Sequence, residues 1–219
     1  MPHFSARSIA SQIEFEDFLT RSVVDTGIER CLVVAGDAPR PAGPFLDSAA
    51  MIATGIFERS GIKVIGIAGH PEDHPIMSEA QRWSVLEAKC RTIEERGMTP
   101  LIVTQFAFDS DVILSWLEAL RARDLQHPVR IGVPGPASIA TLMRFAAQCG
   151  VGATTSMISK YGISIGKLLG QAGPDRFIDR LASGLGEQHG AVRLHFYPFG
   201  GVSRTVDWIG RYVERNSII

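Results

Sequence analysis

Short apolar runs alternate along this chain with stretches whose apolar residues recur every three or four positions. Cys31–Ala35 (CLVVA), Lys63–Ala68 (KVIGIA), Leu101–Thr104 (LIVT), Val129–Val133 (VRIGV) and Val192–Tyr197 (VRLHFY) are apolar or β-branched on both faces. Strands of that kind are covered on both sides, which implies parallel pairing. Helical spacing lies between them. Ile13–Val24 carries apolar residues at 15, 18, 19 and 23, and Ser78–Arg96 carries Ala80, Trp83, Leu86 and Cys90 on one stripe. Ser110–Arg123 places Val112, Ile113, Trp116, Leu117 and Leu120 together, with Ser110 as the expected N-cap. Ser138–Cys149 is expected to close at Gly150, and further helices are expected over Met157–Leu169 and Asp175–Ser183. A last helix is expected from about Ser203, carrying Val206, Trp208, Ile209 and Val213.

Alternation of this kind defines an α/β protein built from βα repeats on a parallel sheet. Glycine, proline and polar residues cluster just after each strand run, where a TIM-type (β/α) barrel places its active-site loops. Five full strands and a stub at Met1–Phe4 amount to about six of the eight βα units of a closed barrel. The expected architecture is therefore a single barrel domain over 1–219, incomplete at its N-terminus. An open barrel leaves two sheet edges exposed, so self-association into a homo-oligomer is expected.

Composition narrows the partners. The 219 residues are 45% hydrophobic and 21% charged with a formal net charge of −1, a globular composition with no basic footprint for nucleic acid. No apolar run approaches the roughly 20 residues needed to span a bilayer, and the first residues lack the apolar segment of a secretory signal. Cys31, Cys90 and Cys149 are far apart with no C-x-x-C, which fits buried thiols in a reducing, cytoplasmic setting.

The residues that follow the strands carry the chemistry. Gly36-Asp37 sets a carboxylate behind a residue with no side chain, open to a flat ligand or serving as a turn aspartate. Gly69-His70-Pro71-Glu72-Asp73-His74-Pro75 is a stiff polar loop with two histidines. It lacks the third ligand of a metal site, leaving phosphate contact, ring stacking or a solvated loop. Gln105, at a strand end, offers a paired donor and acceptor to a heterocycle such as a pterin or purine, and Phe106 and Phe108 either wall that pocket or pack on the next helix. Gly200-Gly201 precedes the last helix, whose N-terminus suits a phosphate. No G-x-x-x-x-G-K-[ST] is present, and neither a G-x-S-x-G elbow nor a G-x-G-x-x-G follows a strand run; the G-x-S-x-G match at Gly162–Gly166 falls within the helix expected over Met157–Leu169.

Taken in order, Pro2-His3, Ala35-Gly36-Asp37, Gly69-His70-Pro71-Glu72-x-His74-Pro75, Thr104-Gln105-Phe106-x-Phe108-Asp109 and His195-Phe196-Tyr197 resemble methylenetetrahydrofolate reductases, from residue 1 to about 209. Gly132-x-Pro134-Gly135-Pro136 resembles the family's P-G-I-x-P turn, and Thr141–Gly152 is similar to a divergent bacterial branch. The resemblance implies a barrel that holds FAD at its strand ends. NAD(P)H reduces the flavin, and the flavin reduces 5,10-methylenetetrahydrofolate to 5-methyltetrahydrofolate. It implies that Asp37 tunes the charge of flavin and pterin, and that Gln105 binds the pterin beside Phe108. It also implies flavin contacts from His3, Gly36, His70 and His74 and a phosphate contact from Lys89.

Three departures are visible: His70 stands where the family usually has a stacking tyrosine, and Ala35 where a polar residue often precedes Gly-Asp. The family's first strand, with its general-acid glutamate, has no counterpart here, and Glu72 and Asp73 are nearby carboxylates without an assigned role. The alternatives are a flavin-free, tetrahydrofolate-dependent methyl-transfer enzyme and a non-catalytic truncated barrel subunit. The central expectation is that Asp37, His74 and Gln105 converge on one planar cofactor or pterin.

Overall fold

A computed structural model describes residues 1–149, 151 and 171–216. The expected helix over Met157–Leu169 and the closing role of Gly150 lie outside the described residues. Six strands form one parallel sheet in the order β1-β2-β3-β4-β5-β8: β1 His3–Ser5, β2 Arg30–Val34, β3 Val64–Gly69, β4 Thr99–Phe106, β5 Val129–Pro134 and β8 Val192–Tyr197. Each of the five apolar runs is a strand, and the Met1–Phe4 stub supplies His3 and Phe4 of the three-residue strand β1, in register with β2 through His3↔Leu32 and Ser5↔Val34. Strand order follows chain order, as in a singly wound sheet of βα units. A separate antiparallel pair joins β6 (Ala137–Ser138) to β7 (Gln171–Ala172).

The chain groups into two compact units. The first comprises Met1–Gly69 and Ala80–Val103. It holds β1 to β3, most of β4, and helices α1 (Gln12–Thr26), α2 (Ser48–Ala53), α3 (Ile56–Arg59) and nearly all of α4 (Glu79–Glu95). Ser11 caps α1 by accepting the Glu14 N–H, and Gly27, at φ +66°, ends it. Of the four apolar residues predicted to face inward on α1, Phe15 and Leu19 are buried, while Phe18 is half exposed beside Phe4. Phe15 meets Phe4 and Phe57 edge-on, with ring centroids 5.0 and 6.1 Å apart. On α4 the predicted stripe is confirmed at Trp83, Leu86 and Cys90 and extends to Ile93, whereas Ala80 is exposed. Cys31 and Cys90 are buried, and burial pushes both thiols up to about 12, so neither is a nucleophile at neutral pH. Cys149, in the second unit, is half-buried.

The second unit comprises His70–Glu79 and residues from Thr104 onward. It holds the end of β4, then α5 (Ser110–Ala122), β5, β6, α6 (Ile139–Cys149), β7, α7 (Asp175–Gly184), β8 and α8 (Val202–Asn216). The N-cap of α5 is Asp109 rather than Ser110: its carboxylate accepts the Asp111 N–H at 3.0 Å. An ionised acceptor bonds amides at a helix start more strongly than a hydroxyl does, and it also meets the positive end of the helix dipole. Of the four apolar residues expected on α8, Trp208 is buried and Ile209 half-buried, while Val206 and Val213 are exposed; Thr205 is buried on the same face as Trp208. The Trp208 indole N–H donates to Asp175 Oδ2 at 3.0 Å and the Tyr212 hydroxyl to Asp179 at 2.6 Å, which ties α8 to α7.

Burial alone would raise the Asp175 pKa, but hydrogen bonds from Arg215 and Trp208 outweigh it and hold the carboxyl below its ordinary range. A depressed folded-state pKa stabilises above the unfolded value, near about 3.9, and that contribution is lost as pH falls through the folded value. Asp175→Ala is therefore expected to lower stability by about 1 kcal/mol at pH 7, the figure being modest because the pair is partly solvated. The deficit should shrink below pH 4 in urea titrations. An equal deficit at pH 3 and pH 7 would show that the carboxylate charge is not its source.

Candidate functional site

In the first unit, the turn after β1 and the loop after β2 bring predicted residues into view. His3 is on β1 and partly solvated, and partial burial followed by the chain's amino terminus pushes its imidazole below the ordinary range, so it is neutral at pH 7. Gly36 adopts φ +87°, a region that favours glycine, and a Cβ there would lie 2.9 Å from Ser5 Cβ. The bare face of Gly36 is thus filled by Ser5. Asp37, next along, is exposed in a bend. Lys89 is half-buried on α4, and burial pulls its ammonium below the usual lysine range against the opposing pull of Asp47. Asp47 is itself the N-cap of α2, accepting the Ala50 N–H at 2.8 Å.

In the second unit, the rings of His70 and His74 meet edge-on at 4.7 Å. The Ile76 N–H donates to His74 Nδ1 at 3.3 Å, which leaves the neutral ring's proton on Nε2, where it is a donor. Gln105 is half-buried near the end of β4, and its Oε1 accepts the Phe106 N–H at 3.2 Å. Its Nε2 donors have no hydrogen-bond partner among the described residues. Phe106 and Phe108 are both buried, with rings edge-on at 5.8 Å, so Phe108 packs as a wall residue behind Phe106.

An aromatic wall continues from Phe106 beyond what the sequence pattern predicts. Tyr197 and Phe199 meet the Phe106 ring at 5.6 and 4.9 Å, His195 meets Tyr197 edge-on at 5.1 Å, and Phe145 stacks on Phe199 at 4.2 Å with 14° between planes. Arg144 lies 5.0 Å from the Phe145 ring centroid, within cation–π range. The Tyr197 hydroxyl donates to the Thr104 carbonyl at 3.1 Å, and burial, aided by the nearby Cys149, pushes the phenol up to about 12. Thr104 is wholly buried, its Oγ1 accepting the Gly132 N–H at 2.8 Å, which pins the base of Gln105. Phe145 and Phe199 were missed because helical spacing makes 145 one more core residue and gives a lone aromatic after Pro198 no partner. Only folding brings α6 to that turn.

Gly200-Gly201, which sequence offers as a phosphate turn, has a packing role. A Cβ at Gly200 would lie 1.9 Å from the Pro136 carbonyl oxygen, and Gly201 sits at φ +105°. Among the described residues, no three His, Cys, Asp or Glu side chains form a group that could hold a metal ion. Nor, among them, is any helix long and apolar enough to cross a membrane.

Of the predicted residues, His3, Gly36, Asp37 and Lys89 belong to the first unit, and His70, His74, Gln105 and Phe108 to the second. The class that fold and residues define is an α/β protein of parallel βα units with polar and aromatic side chains after its strands. No family model matches the chain. It is 27% identical over 140 residues, 61% of its length, to methylenetetrahydrofolate reductase 2 of Saccharomyces cerevisiae. The matched stretch spans 22% of that protein.

Proposed function

We propose that this chain is a folate-related oxidoreductase of the methylenetetrahydrofolate reductase type, built on a (β/α) barrel. In this reading it reduces 5,10-methylenetetrahydrofolate to 5-methyltetrahydrofolate through FAD with NAD(P)H as donor, in the cytoplasm. The observation that carries the reading is Gln105: an amide at a strand end with its oxygen held by the Phe106 N–H and its donors without a partner among the described residues, beside a wall of aromatic rings. The similarity to the yeast reductase supports it.

The residues fit a flavin by the chemistry of their donors. His74, whose Nδ1 accepts the Ile76 N–H, suits a ring acceptor through Nε2, partly buried Lys89 suits a phosphate, and His3 is neutral at pH 7. The bound flavin would supply the two-electron step between nicotinamide and the folate methylene group. Gln105 binds and orients the pterin through its amide donors, and the rings around Phe106 exclude water from that contact. Asp37 supplies a negative charge that tunes the polarity of the bound rings.

A second reading, tetrahydrofolate-dependent methyl transfer without flavin, is favoured by His70, whose ring is engaged edge-on with His74 in place of a stacking tyrosine. Purified protein titrated with FAD is expected to show a bound-flavin spectrum that NAD(P)H bleaches and methylenetetrahydrofolate restores. Folate binding with no flavin spectrum selects the second reading, and binding of neither removes both.

A further inference from the structure

We propose that Arg7 is the positioning residue for Asp37, holding the loop that follows β2 in its working conformation. Residues 35–47 connect β2 to α2 and contain Pro39, Pro41 and Pro44, which have no N–H to give. Among the described residues, no backbone hydrogen bond joins two residues of this loop to each other. A connection of that length without internal bonding is open to many conformations unless something outside it fixes them.

Arg7 fixes it at four points. Its N–H donates to the Ala35 carbonyl at 3.0 Å, and its own carbonyl accepts the Ala42 N–H at 2.8 Å. Its side-chain Nε donates to the Leu46 carbonyl at 2.8 Å and Nη1 to the Ala38 carbonyl at 3.3 Å. Asp37 lies between two of those carbonyls, at 35 and 38. The guanidinium suits this task because its donors are held in a rigid plane and can serve two carbonyls at once, whereas a lysine ammonium on a flexible stem cannot reproduce the fork.

The anchor itself is firm. Arg7 sits in the 3-10 turn Ala6–Ser8 directly after β1, Ala6 is fully buried, and β1 is in parallel register with β2. Ser5 backs Gly36 from the same short segment, and a Cβ at Gly43 would lie 2.3 Å from the Ala10 carbonyl oxygen. One stretch, residues 5–10, thus moulds both ends of the loop, and the polar share of that grip falls to Arg7. The catalytic consequence rests on the proposed reductase reading, but the clamp does not.

Arg7→Ala and Arg7→Lys test both parts. Amide hydrogen exchange in peptides covering 35–47 is expected to rise about tenfold or more in Arg7→Ala, with β2 and β3 unchanged. In the FAD-loaded protein, kcat is expected to fall about tenfold or more with the KM for NAD(P)H within about twofold, and Arg7→Lys to recover part of the loss. Unchanged exchange over 35–47 overturns the clamp whether or not the chain is a reductase. Raised exchange with unchanged kcat overturns the positioning of Asp37. A wild-type chain that reduces no folate removes the reductase reading and with it the catalytic role of Arg7, while exchange still decides the clamp.

Discussion

Phe106→Ala is expected to lower the stability of the folded chain by about 3–5 kcal/mol, the range for removing a fully buried aromatic ring. Phe106 is 1% exposed, and three aromatic rings meet it edge-on, Phe108 at 5.8 Å, Tyr197 at 5.6 Å and Phe199 at 4.9 Å, with Phe108 itself buried. Removal takes away the transfer energy of the ring and leaves a cavity whose walls are other rigid rings, which relax poorly. Equilibrium unfolding in urea at pH 7 should show the midpoint falling with little change in slope. A loss below about 1 kcal/mol would mean that the wall is loosely packed. Phe106→Leu, which refills part of the space, should recover a substantial fraction.

On the proposed reductase reading, Gln105→Leu is expected to reduce kcat/KM for methylenetetrahydrofolate about a hundredfold while leaving flavin binding and fold intact. The side chain is half-buried and its one protein contact runs to the next residue's N–H, so the fold depends on it little. A polar ligand edge brought against leucine loses its partners, a penalty of about 1–3 kcal/mol that corresponds to this range of discrimination. Gln105→Glu keeps an acceptor for the Phe106 N–H but offers no donor. It should therefore resemble the leucine variant if the missing donors carry the effect, and wild type if the oxygen does. Steady-state kinetics with flavin absorbance as a loading control reads both outcomes. Full activity in Gln105→Leu would remove this glutamine from substrate binding.

The legible part of the fold is the part governed by local rules. Four of the five apolar runs became strands whose residues are mostly buried, a condition that sequence writes as a nearly unbroken apolar stretch, whereas β8 pairs with β5 through residues that are half-buried or exposed. The stub at His3–Ser5 was readable only as a strand's end, since three residues carry too little pattern to show their pairing. Helices α2 and α3 escaped notice because four to six residues hold barely one helical period. Their ends instead depend on the Asp47 cap and the left-handed Gly55. The α5 cap moved by one residue because Ser110 and Asp109 are both good caps, and the chain's path before the helix decides between them.

The sequence by itself determined the βα alternation, the strand ends that carry Asp37, His70 and Gln105, and the helical periods, because each depends on neighbours within about one helical or strand repeat. Tertiary structure alone decided which face of α8 is buried. Trp208 and Tyr212 find Asp175 and Asp179 on another helix, and a bonded tryptophan outweighs a stripe of valines. It alone also decided that Ser5 fills the face of Gly36, that Arg7 grips the loop around Asp37, and that Phe145 stacks on Phe199. Those pairs lie 31 to 54 residues apart in the chain, and contacts at that separation leave no period in a sequence for local rules to detect.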